Sequence, residues 1–150
     1  MSKVFEDYFS EIQADMVAIC LEYVENVAET IYIYCSHEEG MISSDFFYRI
    51  NNQLKERHKI NECGTISYDV STDRQDMVLE ILNDDIEKMI NLCKEYDRPM
   101  PTEMKLVYEV KNNSLVADYQ YELVYSLDDV KTADEISEEW FAEISKKNLW

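Results

Sequence analysis

The chain has 150 residues, 46% of them hydrophobic, with two glycines and two prolines; this suits one folded domain with a real core, and global disorder is not expected despite the charge. Its 32 acidic and 14 basic residues give a net charge of −18, so nucleic acid and anionic membrane are poor partners and a basic macromolecule is a better one. There is no apolar run of membrane-spanning length, and MSKVFEDYF lacks the basic and apolar regions of a signal peptide, so a cytoplasmic location is expected.

From Ser2 to about Val27, apolar residues recur at helical spacing: Phe5, Tyr8, Phe9, Ile12, Met16, Ile19, Cys20, Tyr23, Val24 and Val27. Glu11, Asp15, Glu22 and Glu25 lie mostly off that stripe, which predicts a long amphipathic helix. Thr30–Ser36 (TIYIYCS) is β-branched and aromatic and reads as a strand. A turn at Glu38-Glu39-Gly40 leads into Met41–Ile50. There Ile42, Phe46, Tyr48 and Ile50 take one side and Ser43, Asp45, Phe47 and Arg49 the other. Residues 51–66 give no clear pattern. Tyr68 and Val70 suit a short edge strand.

The next helix has the spacing of a capping box at Thr72–Gln75, with Asp73 and Asp76 at its positive end. Val78, Ile81, Leu82, Ile86, Met89, Ile90 and Cys93 form its apolar stripe, and Pro99 and Pro101 are expected to stop it. Glu103–Leu123 then alternates on both sides of Asn112-Asn113, a pair suited to a two-residue type I′ turn. That loop pairs Val110 with Leu115, Tyr108 with Ala117, Leu106 with Tyr119 and Met104 with Tyr121, all on one face. The other face carries Glu103, Lys105, Val107, Glu109, Val116, Asp118, Gln120 and Glu122, and is mainly acidic. A last helix is expected over about 134–146. Its Trp140 either anchors the helix on the sheet or is presented to a partner; packing is the preferred reading.

The expected fold is α+β: a single domain over 1–150, with an antiparallel sheet of two or more hairpins and the helices near 2–27 and 75–96 on one face. No phosphate loop, HExxH, GxSxG or calcium-loop pattern is present. Cys20, Cys35, Cys63 and Cys93 are widely spaced and read as small reduced hydrophobes. His37, beside Glu38 and Glu39, reads as an exposed turn histidine. No catalytic residue, cofactor or metal is therefore expected, and the chain reads as a non-enzymatic interaction domain.

The order of elements and three local patterns carry a resemblance: IYIYCS after a helix, YDVSTDRQDMVLEIL entering a long helix, and EYDRPMPTEMKLVYEVKNNSLVADYQYE leaving it. The chain resembles the YezG-like antitoxin family, immunity proteins against LXG-type and related polymorphic toxins, over about Glu11–Trp150. It departs from the family pattern at Pro99-Met100, where members usually carry a tryptophan. The resemblance implies an immunity protein that binds a secreted toxin domain, a basic nuclease being the expected kind, and occludes its cleft. The competing reading is a chaperone or adaptor for a secreted effector that leaves the active site open. Asp84, Asp85, Glu109, Asp118 and Glu122 are the expected toxin-binding residues. Glu103 and Glu122 are expected to oppose each other across the hairpin, a like-charge pairing that costs stability and hints at a use outside the fold.

Overall fold

The computed structural model describes residues 4–38, 40–62, 67–122 and 133–147, and every strand among them joins one antiparallel sheet. In chain order these are helix α1 (Phe5–Tyr23), strands β1 (Thr30–Glu38), β2 (Met41–Ile50) and β3 (Gln53–Glu56), and a 3-10 helix (Arg57–Glu62). Helix α2 (Thr72–Glu95), strands β4 (Glu103–Glu109) and β5 (Ser114–Gln120), and helix α3 (Ala133–Lys147) follow. The sheet order is β3-β2-β1-β4-β5. The α+β class and the antiparallel sheet are as expected, but β1 holds the middle and the late hairpin forms an edge.

β1 is buried on both faces, which is why TIYIYCS is an apolar run without alternation. Ile31, Ile33 and Cys35 join Phe46, Tyr48, Met104 and Leu106 in a core covered by α1 and α2. Tyr32, Tyr34 and Phe47 point the other way, against Ile136 and Trp140 of α3. The Trp140 ring lies 5.1 Å from that of Phe47 and 5.9 Å from that of Tyr32, both edge-on. Trp140 therefore anchors its helix. The described residues form three layers, with α3 as the described helix on the second face.

A chain with two glycines must make its turns from other residues. Asn51 (φ 53°) and Asn52 (φ 63°) form the two-residue β2–β3 loop, so the type I′ signal operates in the stretch whose sequence was least readable. α1 stops at Tyr23 rather than Val27. Glu25 (φ 52°) takes the left-handed position, its N–H donating to Glu22 O at 3.0 Å, and Asn26 N–H donates to Leu21 O at 2.8 Å. α2 ends by the same device at Asp97 (φ 52°), with Arg98 N–H on Cys93 O at 2.8 Å, before either proline is reached. Its N-cap is Ser71, whose Oγ accepts from Arg74 N–H at 3.2 Å, one residue earlier than the capping-box spacing implied. Tyr68 and Val70 join no strand. Asn61 instead holds Tyr68 through bonds of 2.7 and 3.1 Å to its N–H and C=O.

The β4–β5 register is shifted by two residues from the sequence expectation. Tyr108 pairs with Leu115, Leu106 with Ala117, Met104 with Tyr119 and Glu103 with Gln120, around a Val110–Asn113 loop. Val110 N–H donates to Glu29 O at 3.0 Å, and the Tyr108 hydroxyl donates to Asn113 Oδ1. An even shift keeps every side chain on its face. The two faces are thus those expected, but the pairs are not.

Candidate functional site

Glu109, Asp118 and Glu122 are exposed, on or just past the hairpin face that looks toward the α3 side. The shifted register places Asp118 opposite Lys105, whose Nζ lies 3.8 Å from Glu103 Oε1 and 5.7 Å from the centre of the Trp140 ring. Glu103 is buried and accepts a 2.8 Å bond from the Tyr34 hydroxyl. Its cross-strand neighbour is Gln120, so the expected Glu103–Glu122 confrontation does not occur.

Asp84 is exposed on α2, in the opposite layer. Asp85 is 1% exposed and belongs to the α1–α2 interface. Its Oδ1 lies 3.6 Å from Lys88 Nζ, and its Oδ2 has no hydrogen-bond partner. Burial, followed by the neighbouring Asp15, pushes its carboxyl up to about 7. It is thus no part of a contact surface. Glu109 and Asp118 share a face with Glu122 just past its end, Asp84 stands apart, and Asp85 supports the helix packing.

His37 also differs from expectation. It lies within β1 and its N–H donates to Thr102 O at 2.9 Å, while Glu39 of the expected turn lies outside the described residues. Cys20, Cys35 and Cys93 are buried free thiols, and burial raises the first two well above the ordinary thiol range. Cys63 lies outside the described residues. Among the described residues no three His, Cys, Asp or Glu side chains are placed to hold a metal ion. No described helix is long and apolar enough to cross a membrane.

A concavity that sequence patterning missed lies along the β2 edge. β3 pairs with β2 only over Phe47–Ile50, and the chain then turns aside into the 3-10 helix. The outer edge of Met41–Phe46 is left without a strand partner among the described residues. A cleft of about 740 Å³ runs along it, walled by Leu79 and Asn83 of α2 on one side and Ser137, Glu138 and Phe141 of α3 on the other.

At the inner end of this cleft Arg57 ion-pairs with Asp45, donates from Nε to Gln75 Oε1 at 3.0 Å, and sits 5.3 Å from the centre of the Phe46 ring. Asp45 also accepts from Ser137 Oγ at 2.8 Å and Phe46 N–H at 2.7 Å. Further out, Ser44 Oγ donates to Asn83 Oδ1 at 2.7 Å. One ion pair thus ties β2, α2, α3 and the 3-10 helix together and fixes the shape of the cleft. A smaller groove of about 420 Å³ lies between α1 and the end of β5, lined by Phe5, Phe9, Arg98, Tyr119 and Tyr121.

Neither a family model nor a curated protein matches this chain.

Proposed function

We propose that the chain is a stoichiometric binding protein for a basic protein partner, acting in the cytoplasm as an immunity protein that occludes a toxin domain of the nuclease kind. The observation that carries this reading is charge. With 32 acidic and 14 basic residues, at least 32 − 14 = 18 carboxylates have no cation of their own even with one-to-one pairing. Glu109 and Asp118 present carboxylates on one exposed face of the hairpin, and Glu122 is exposed just past its end.

A cleft that holds phosphates is lined with cations, so an acidic protein is drawn to it over a Debye length and competes for the same groups. The resemblance to YezG-like antitoxins supports the same direction. Steering acts mainly on association, so a partner of this kind binds fast at low salt and slowly at high salt.

The test is co-expression with a candidate toxin domain, taken from a neighbouring gene if one encodes it, scored by cell survival, with binding measured on the purified pair. Survival that depends on this chain, with a one-to-one complex, supports the proposal. Cells that die despite a soluble complex would favour the adaptor reading. No complex at low salt would remove the immunity reading.

A further inference from the structure

In an antiparallel ladder each residue turns its N–H and C=O to one side, and the side alternates along the strand. His37 N–H reaches Thr102 O on the β4 side, so odd residues of β1 serve β4 and even residues serve β2. The β2 partners of those even residues are odd-numbered: Ser43, Asp45, Phe47 and Arg49. Val110 N–H on Glu29 O at 3.0 Å, an odd position facing the β4 side eight residues earlier, agrees. Ile42, Ser44 and Phe46 therefore turn their backbone groups outward, into the cleft. The Phe46 N–H is taken by the side chain of Asp45, while Ile42 and Ser44 present theirs at an edge that no proline or lysine of β2 blunts.

We infer that Met41–Phe46 is a docking edge, to which an extended, cationic segment of a partner protein adds as a further strand in the cleft between α2 and α3. The inference deepens the basic-partner reading and rests on it for the sign of the charge. An added strand satisfies the outward groups of Ile42 and Ser44, as edge-binding domains do with extended peptides. The free edge is about 20 Å long at ~3.4 Å per residue, enough for one strand.

Alternate side chains of such a strand meet different walls. One parity faces Leu79 and Asn83, which suits a small aliphatic or threonine. The other faces Ser137, Glu138 and Phe141, with Glu56 at the end of the cleft, which suits lysine or arginine. Asp45 is neutralised by Arg57, and Glu56 stands 3.8 Å from His58, so Glu138 and Glu56 set the preference. A second copy of this chain is disfavoured as occupant because it brings another −18. Among the described residues β5 is also without an outer strand partner, but Val116 is 62% exposed on its α3-side face, and no described element walls that edge as α3 walls the β2 cleft.

The probe is a set of peptides of about eight residues that alternate lysine or arginine with valine or threonine, titrated into the full chain while backbone amide exchange is followed. Exchange at Ile42 and Ser44 is expected to slow by about tenfold or more at saturation. Glutamate in place of the cations is expected to weaken binding by about tenfold or more. N-methylation at alternate peptide residues is expected to abolish it. Ser44→Pro removes one outward N–H without touching the bonds to β1, and is expected to abolish protection while melting cooperatively; if it fails to fold, the N-methylated peptides decide.

Cationic binding with protection on β4–β5, or indifference to N-methylation, overturns strand addition and leaves the basic-partner reading standing. Protection of the edge that grows with protein concentration and needs no peptide assigns it to a second copy and overturns the proposal. Binding by none of the cationic peptides also overturns it, while co-expression still tests the immunity reading separately.

Discussion

Glu25 and Asp97 hold left-handed backbone at the ends of the two long helices, a conformation that costs an ordinary L-residue about 1–2 kcal/mol. Glu25→Gly is expected to raise stability by about 1 kcal/mol, or about 2–4 °C in a thermal melt for a chain of this size, and Asp97→Gly by less because Asp tolerates this region better. Asp85 works in the other direction. Its folded pKa of about 7 stands above the unfolded carboxyl value, so the native state holds an extra proton between them. That contribution is fully present below about pH 4 and is lost as pH rises through 7. Asp85→Asn is expected to be about 1–3 kcal/mol more stable than wild type at pH 8, with the gap narrowing steadily as pH falls and closing only near pH 4, measured by denaturant titration. A constant difference across that range would place the unpartnered oxygen in contact with water.

Elements were legible in the sequence wherever one face of a strand or helix carried the signal. The parity of Leu106, Tyr108, Ala117 and Tyr119 put the right side of the hairpin on the core, and an even register shift left that parity untouched. The loop length was not legible, because Val110 is drawn to the carbonyl of Glu29, a contact with a distant segment. Helix ends carry no glycine signal because Glu25 and Asp97 do what glycine usually does. Asp85 was readable in hindsight: it stands three residues after Leu82 and four before Met89, on the buried stripe of α2. The cleft was hidden because it depends on where β3 stops, and Arg57 leaves the sheet there to meet Asp45 and Gln75. The face chosen by α3 was also invisible, since Trp140 predicts anchoring and not which side. Trp140→Ala is expected to cost about 3–5 kcal/mol, with fast amide exchange confined to α3 and the core of Met16, Leu82 and Leu106 still protected. Uniform loss of protection would mean that the two cores unfold as one unit.

At the scale of the whole molecule, the same −18 acts with opposite signs on folding and on association. Within the folded chain the excess carboxylates repel one another, and compaction brings them closer. Between this chain and a cationic partner the same field attracts. Salt screens both, with a Debye length of about 30 Å at 0.01 M and about 3 Å at 1 M. Raising sodium chloride from about 0.05 M to about 0.5 M is therefore expected to raise the melting temperature and to slow association with a cationic partner by about tenfold or more. Dissociation should change much less, because it reports short-range contacts. Asp118→Lys with Glu122→Lys separates the terms further. The double variant moves the net charge by four units and should slow association, yet it also sets a lysine against Lys105, a like-charge pair whose cost is about 0.2–1 kcal/mol. At low salt that local cost opposes the stability returned by a smaller net charge, so its stability should stay close to wild type, with both contributions fading at high salt. An association rate unmoved by both salt and the double variant would mean that the carboxylates of the hairpin face serve solubility alone, and that any partner is held by backbone pairing and apolar contact.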